Sequence, residues 1–398
     1  MKIGIYGGTF NPIHRGHMVA AEAACEELKF DLLLLIPDGQ PPHKDMAQAS
    51  ASPQQRLEMT EIAADRMHLN CPVQVLDLEQ KREGKSYTSD TLRALKAMYP
   101  QDELWLLMGT DMFLTLHLWH EPEVICACAS ICAFGRMRQD DETLFAPQCE
   151  LLSQRYHCRS VVIDIPGLIE VSSSEMRVQL ALGECPKELD ESVFGYILLN
   201  RLYGTNVDLT ALSDQALRAC SYSMIKAKRI SHVRGCEQEA VRLAGHWGAD
   251  IEHARKAAIL HDCTKYYTLQ EQLAVCKKYD LPLDEMERTA VKLLHSKTGS
   301  AIARDIFGMP EDICSAIYYH TTGHANMTLL EKILYIADYM EPTRDFEGVE
   351  KLRELVYRDL DAAVILGLEM TIEEMNGYGS PVHPKTKEAL DFLRKEKQ

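Results

Sequence analysis

The sequence predicts a doubly wound α/β block followed by an all-helical block. Strand and helix patterns alternate through roughly the first 200 residues. After Tyr203-Gly204-Thr205-Asn206 the helical spacing continues with almost no strand signal. The length, 398 residues, suits two or three domains at about 100–200 residues each. The expected division is 1–207 and 208–398, with no long flexible linker.

In the first block, Lys2–Tyr6 reads as a short apolar strand and Met18–Leu28 as a helix. Leu32–Ile36 is the unbroken apolar run of a buried parallel strand. Gln54–Arg66 is helical, Val73–Leu76 a strand, Ser89–Met98 a helix and Leu104–Met108 a strand. Val124–Ala129 reads as a further buried element, and Ile131–Phe134 and Val161–Ile165 as strands. Ligands of such sheets bind beyond the carboxyl ends of the strands. In the second block Ala240, Leu243 and Ala244 share one helix face. Arg255–Leu260, Glu285–Ile306 and Leu329–Tyr339 are also expected helices.

Composition narrows the classes. Apolar residues at 46% and charged residues at 26% are ordinary for a globular chain. The net charge is −16; residues 1–200 carry 17 basic and 29 acidic side chains, and residues 201–398 carry 26 and 30. Neither half has the basic excess that holds a nucleic-acid backbone, so an RNA-binding scaffold is disfavoured. No stretch reaches the roughly 18 apolar residues of a membrane span. Thirteen Cys are too sparse for a disulfide scaffold, which suggests a reducing, cytoplasmic setting. Cys126, Cys128 and Cys132 lack paired zinc-site spacing and read as buried filler.

The segment Gly7-Gly8-Thr9-Phe10-Asn11-Pro12-Ile13-His14-Arg15-Gly16-His17 follows the first strand and opens a helix. Its glycines permit a sharp turn and close approach to a ligand. A helix start offers free N–H groups to phosphate. His14 and His17, three apart, share a face and can stabilise charge gathering on phosphate oxygens. The loop holds no Ser or Cys nucleophile, which favours direct transfer between two bound substrates. Ser172, Ser173 and Ser174 before a helix can cap its amides and meet a triphosphate. Arg177 adds a forked donor and Lys44 a mobile charge.

The whole Gly-Gly-Thr-Phe-x-Pro-x-His-x-Gly-His string resembles the signature of the HxGH nucleotidyltransferases, a Rossmann-like fold. Pro41-Pro42-His43-Lys44, Ser86-Tyr87-Thr88-Ser89-Asp90-Thr91-Leu92, Gly109-Thr110-Asp111-Met112-Phe113, Leu118-Trp119-His120 and Val171-Ser172-Ser173-Ser174-Glu175-Met176-Arg177 follow in the order of bacterial nicotinate-nucleotide adenylyltransferases. The resemblance covers about residues 1–204 and implies adenylyl transfer from ATP, with Mg2+, to nicotinate mononucleotide. It implies catalytic roles for His14 and His17. Gly7, Gly8, Thr9, Phe10, Lys44, Gly109, Asp111, Ser172, Ser173, Ser174 and Arg177 would bind nucleotide. Thr88, Trp119 and His120 would receive the nicotinate moiety, with Trp119 offering a flat face to its ring. One departure is Phe134-Gly135-Arg136-Met137-Arg138, where the family often has Arg-Pro-Gly. Arg136 is the candidate replacement, and the amidated mononucleotide remains an alternative acceptor.

The second block contains His232, His261-Asp262, His295, His320 and Asp338, each on or at the end of an expected helix. Such groups facing a helical core are costly unless paired or bound to metal. Imidazole with carboxylate suits Fe, Mn, Co or Zn rather than Ca. The set resembles the HD-domain phosphohydrolases. His-Asp-Cys-Thr-Lys, His-Thr-Thr-Gly and Ala-Asp-Tyr-Met-Glu-Pro-Thr-Arg are similar to a bacterial family of symmetrical diadenosine-tetraphosphate hydrolases. The resemblance, over roughly 215–395, implies two metals, iron expected and Mn or Co as alternatives, held by His232, His261, Asp262, His295, His320 and Asp338. His261, Asp262 and Lys265 are the expected catalytic residues; Lys265, Thr321, Thr322 and Arg344 are expected to grip polyphosphate. His324 is expected at the rim. The competing readings are hydrolysis of another nucleotide and a regulatory nucleotide sensor. The partners expected are small nucleotides, with neither nucleic acid nor membrane, and a homo-oligomer is left open.

Overall fold

A computed structural model describes residues 1–40, 50–82, 84–135, 142–165 and 173–398. The chain divides into two compact units, Met1–Asn206 and Val207–Gln398.

The first unit runs β1 (Lys2–Gly8), α1 (Arg15–Leu28), β2 (Leu32–Pro37), α2 (Pro53–Arg66), β3 (Val73–Val75), α3 (Thr88–Met98), β4 (Glu103–Gly109), α4 (Thr110–Thr115), α5 (Pro122–Cys128), β5 (Ser130–Phe134), α6 (Glu142–Tyr156), β6 (Ser160–Ile163), α7 (Ser173–Ala181) and α8 (Glu191–Leu199). The strands form one parallel sheet in the order β3-β2-β1-β4-β5-β6. All six residues of β2 are buried, as the unbroken apolar run requires when both sheet faces are covered. Ile3, Ile5, Leu34, Leu104, Leu106 and Ile131 anchor the core.

This strand order reverses direction between β1 and β4. In sheets of this kind the carboxyl ends diverge at that point into different loops, and the crevice between them is where ligands bind. Gly7-Gly8 ends β1 and Gly109 ends β4, so the two glycine-bearing ends flank that crevice. The doubly wound expectation is met.

Three details depart from the sequence reading. Val124–Ala129 is not a wholly buried element: it lies mostly within α5, and only Ile125 and Ala129 are buried. The apolar letters there serve a one-sided helix. Cys132 is buried in β5, but Cys126 and Cys128 are only half-buried, so filler describes one of the three. The expected Glu285–Ile306 helix begins only at Val291. Upstream, the Asp284 and Glu287 side chains accept from each other's backbone N–H groups at 2.8 and 2.9 Å, closing a separate turn.

The second unit has no strand among its described residues. It runs α9 (Asp214–Ser223), α10 (Ala227–Trp247), α11 (Ile251–Leu260), α12 (Leu269–Lys278), α13 (Val291–Asp305), α14 (Glu311–Tyr319), α15 (Leu329–Met340), α16 (Val349–Leu355), α17 (Leu360–Gly377) and α18 (Pro384–Glu396). Caps set several ends. Asp250 caps α11, Thr328 and Glu331 form a capping box on α15, and Gly248 closes α10 in the left-handed region. α10, α11, α14 and α15 pack together around Val233, Cys236, Ile259, Leu260, Ile317 and Ile333. No helix among the described residues is long and apolar enough to cross a membrane.

One buried cation shapes the carboxyl end of the first unit's sheet. Arg56 of α2 is 1% exposed and donates to the carbonyls of Thr9, Asp38 and Gly39 at 2.7, 2.7 and 3.0 Å. It thereby ties the loops after β1 and β2 together. Arg56→Met should leave these carbonyls unpaired and lower the first unit's stability by roughly 3 kcal/mol, measured by urea unfolding.

Candidate functional site

In the first unit His14 caps α1 and His17 lies in its first turn. Their rings lie 3.7 Å apart between centroids. The His14 backbone N–H donates to His17 Nδ1 at 3.3 Å. A backbone N–H only donates, so the proton of a neutral His17 sits on Nε2, which is then a donor. Phe10 meets His17 edge-on at 5.1 Å and Tyr6 edge-on at 5.6 Å. These contacts fix the loop from the core side.

Asn11 is the loop's fastening point, and sequence reasoning gave it no role. Its amide donates to Ser50 Oγ at 3.0 Å and accepts from the Tyr203 hydroxyl at 2.8 Å. Its carbonyl accepts from Arg177 at 2.9 Å, and Arg177 also donates to Ser174 Oγ at 3.0 Å. The loop, α7 and the end of the unit thus meet at Asn11. Arg177 and Ser174 are brought to the His14–His17 loop. Ser173 is the first residue of α7, so Ser173 and Ser174 lie within the helix rather than before it. Lys44, Arg136 and Ser172 fall outside the described residues.

Gly109 caps α4, Asp111 lies in its first turn, and the Thr110 hydroxyl donates to the Phe134 carbonyl at 3.2 Å. Thr88 opens α3. Its segment meets the Trp119–His120 segment: the Tyr87 and His120 rings lie 4.3 Å apart, and Arg93 pairs with Glu121 at 2.8 Å. Trp119 packs on the core, with its indole N–H 3.4 Å from Thr115 Oγ1.

The second unit brings all six expected ligands together. Asp262 lies between two groups. Its Oδ2 is 3.8 Å from His232 Nε2 and 3.6 Å from His261 Nε2. Its Oδ1 is 3.1 Å from His295 Nε2 and 3.8 Å from His320 Nε2. Asp338 Oδ1 is 2.9 Å from His232 Nε2 and 3.8 Å from His261 Nε2. Three overlapping triads, His232–His261–Asp262, His261–His320–Asp338 and Asp262–His295–His320, have converging donor atoms.

The outer nitrogens decide what the inner ones can do. His261 Nδ1 is 2.7 Å from the Ala258 carbonyl, and His320 Nδ1 is 2.7 Å from the Ile317 carbonyl. A carbonyl only accepts, so both Nδ1 atoms carry hydrogen and both Nε2 atoms are bare in the neutral rings. Burial pushes His261, His295 and His320 down to about 4, keeping them neutral. Yet His261 Nε2 lies 3.3 Å from His232 Nε2, and His320 Nε2 lies 3.1 Å from His295 Nε2. Bare nitrogens converging on ionised carboxylates suit divalent cations, so the residues fit two metals. Burial opposes charge on Asp262 and Asp338, but both are held well below the usual carboxylate range, Asp262 by the His295 hydrogen bond and Lys265, and Asp338 by its hydrogen bond with His232 and by Arg344. For His232, burial is outweighed by its hydrogen bonds to Asp338 and Glu341, which raise its pKa.

Arg229 and Glu341 were missed. Arg229 precedes His232 by one helical turn and donates to Asp262 Oδ2 at 2.5 Å. Glu341 is buried beneath His232, with Oε1 3.0 Å from Nδ1. The signal available was spacing: each lies three residues from a candidate ligand, at a helix end. Lys265 reaches His295 Nε2 at 3.0 Å and Asp262 Oδ1 at 3.6 Å. It does so from a turn, because α11 ends at Leu260 and does not continue to carry it. Arg344 donates to Asp338 Oδ1 at 2.9 Å. Thr321 donates to Ser296 Oγ at 3.2 Å. Thr322 is buried with its hydroxyl donating to the Gly323 carbonyl at 2.9 Å, so it can donate to phosphate only by giving up that bond. His324 stacks on Tyr319 and contacts Glu331 at 3.0 Å, outside the three triads.

These folds and sites define a nucleotidyltransferase unit followed by an HD hydrolase unit. The cytidylyltransferase-like family model matches residues 5–178, and the HD domain model matches residues 229–343. Over 216 residues the chain is 37% identical to a probable nicotinate-nucleotide adenylyltransferase of Shewanella sp. (strain MR-4), covering 51% of this chain and 99% of that protein. Over 205 residues it is 38% identical to one of Dictyoglomus thermophilum, covering 51% and 100%. Over 174 residues it is 36% identical to the symmetrical bis(5'-nucleosyl)-tetraphosphatase of Bacillus subtilis (strain 168), covering 44% and 92%. The chain belongs to the nicotinate-nucleotide adenylyltransferase family through its first unit and to the symmetrical bis(5'-nucleosyl)-tetraphosphatase family of HD-domain proteins through its second.

Two outcomes follow. Glu341→Gln weakens the hold on His232 and should lower metal affinity about 10–100-fold, measured by titration of chelator-stripped protein with Mn2+. Stability of the metal-free second unit should fall with pH. His261, His295 and His320 titrate at 6.5 when unfolded and about 4 when folded, so their contribution is complete above 6.5 and lost as pH falls toward 4. His232, with its raised pKa, has the opposite sign but is one group against three. Urea midpoints at pH 7 and pH 5 check this.

Proposed function

We propose that residues 1–207 transfer the adenylyl group of ATP to nicotinate mononucleotide, releasing pyrophosphate and forming deamido-NAD. We further propose that residues 208–398 hydrolyse dinucleoside polyphosphates symmetrically, converting diadenosine tetraphosphate and water into two ADP. The family relatives support both readings. The observation that carries the second is the pair of carbonyl-locked histidines, His261 and His320, whose bare Nε2 atoms converge beside Asp262.

In the first reaction a phosphate oxygen of the mononucleotide attacks the α-phosphorus of ATP, and the bond to pyrophosphate breaks. His17 Nε2–H donates to the charge developing on the phosphoryl oxygens, and His14 assists from the cap. Gly7, Gly8, Thr9, Phe10, Gly109 and Asp111 line the nucleotide crevice, and Arg177 and Ser174 steady the triphosphate with Mg2+. Lys44, Ser172 and Ser173 are assigned to the same task. Thr88, Trp119 and His120 receive the nicotinate moiety.

In the second reaction His232, His261, Asp262, His295, His320 and Asp338 hold two divalent ions, with iron first and Mn or Co as alternatives. Bound metal supplies Lewis acidity and makes water a better nucleophile. Lys265 and Arg344 lie beside the two carboxylates and grip the polyphosphate, with Thr321 and Thr322 adjoining. All three proposed substrates are small nucleotides, which fits a cytoplasmic enzyme.

Purified chain given ATP, Mg2+ and nicotinate mononucleotide should form deamido-NAD, and His17→Ala should cut kcat about 10²–10³-fold. No deamido-NAD, with the nicotinamide mononucleotide used instead, would reassign the acceptor. Given diadenosine tetraphosphate and Fe2+ without oxygen, the chain should release ADP alone. His261→Ala should abolish that release while leaving deamido-NAD synthesis intact. AMP plus ATP as products would sink the symmetrical reading.

A further inference from the structure

The two edge strands of the first unit's sheet are each entered through a cysteine. Cys71 stands two residues before β3, and Cys158 two residues before β6. Each meets a cysteine near the end of a helix. Cys71 Sγ lies 3.9 Å from Cys25 Sγ in the last turn of α1. Cys126, in the last turn of α5, hydrogen-bonds to Cys158. The pairing joins segments 46 residues apart in sequence at the first edge.

Two sulfurs at 3.9 Å sit near van der Waals contact, whereas a disulfide needs about 2.05 Å. Closing that gap brings the two Cβ atoms to about 3.8 Å, the spacing a disulfide requires. Access differs between the partners: Cys71 is half-buried, while Cys25 is buried. Burial and the neighbouring sulfur push the Cys25 thiol well up from its ordinary value. Cys71 is therefore the thiol that a small reagent meets first, and Cys25 the one that can act only from within.

We propose that Cys25 and Cys71 form a reversible dithiol–disulfide site, oxidised by a low-molecular-weight disulfide. The Cys71 thiolate attacks a sulfur of the reagent, whose S–S bond breaks and releases one thiolate. Cys25 then gives up its proton and attacks the Cys71 sulfur, releasing the second thiol. Two protein thiols and one small disulfide become one protein disulfide and two small thiols. The protein loses two electrons and the reagent gains them. The product ties the last turn of α1, which begins at the His14–His17 loop, to the approach of an edge strand. It also restricts the unfolded chain across a long loop.

The test uses the full chain and glutathione disulfide. After acid quench and alkylation, peptide mass spectrometry should find a Cys25–Cys71 linked pair. The melting temperature of the first unit should rise by on the order of 5 °C, and dithiothreitol should reverse both changes. Cys25→Ser should halt the reaction with glutathione attached to Cys71, and Cys71→Ser should leave Cys25 reduced. Wild-type protein that stops at a glutathione adduct on Cys71 would overturn the proposal. So would a Cys126–Cys158 link that forms while Cys25 and Cys71 both remain alkylatable.

Discussion

Both candidate sites depend on one constraint: a backbone group settles which nitrogen of a histidine faces the ligand. In the first unit a backbone N–H occupies His17 Nδ1, so Nε2 carries the proton and can donate. In the second unit backbone carbonyls occupy Nδ1 of His261 and His320, so Nε2 is bare and can only accept. The same side chain becomes a donor to oxygen in one place and a donor of lone pairs to a cation in the other. The choice is made by helix ends. His14 and His17 use the free N–H groups at the start of α1. His261 and His320 follow α11 and α14, where the last carbonyls lack an intrahelical partner.

Those helix ends must be held, and buried or half-buried polar groups hold them. Arg56 spends its guanidinium on three loop carbonyls, and Asn11 joins the loop to Tyr203 and Arg177. In the second unit Glu341 steadies His232, and Arg229 steadies Asp262. Such groups are costly to bury alone. They persist because each is matched, and the matching partners are loop atoms or ligands rather than other core residues.

The sequence made the contiguous features legible. The glycine-rich loop, the unbroken Leu32–Ile36 run and the His261-Asp262 pair each lie within a few residues, where periodicity and spacing carry information. The dispersed candidates His295 and His320 were legible through order and resemblance together, and the structure brings their ring nitrogens into one cluster. Arg56 was not, because its partners are carbonyls, which every residue possesses. Asn11 lay inside a recognised string, but its role depends on Tyr203, 192 residues away. The late start of α13 was hidden by a local competition: Asp284 and Glu287 offer the backbone a closed turn that a helical pattern does not reveal.

Net charge gives a last constraint on how an acidic chain handles phosphate. The second half carries 26 basic and 30 acidic side chains, a formal −4. That balance gives no broad attractive field, and long-range steering would be weak. What matters lies within a few ångströms: Arg229 and Lys265 approach opposite oxygens of Asp262, and Arg344 approaches Asp338. Two divalent ions would add four positive charges, enough to cancel the formal −4 of the half. An anion arriving at the cluster would then meet those three cationic side chains and the metal charge together. Under the proposed function, such a centre suits a compact, multiply charged polyphosphate, whose charge can be concentrated on it. An extended nucleic-acid backbone would need the broad basic excess that this half lacks.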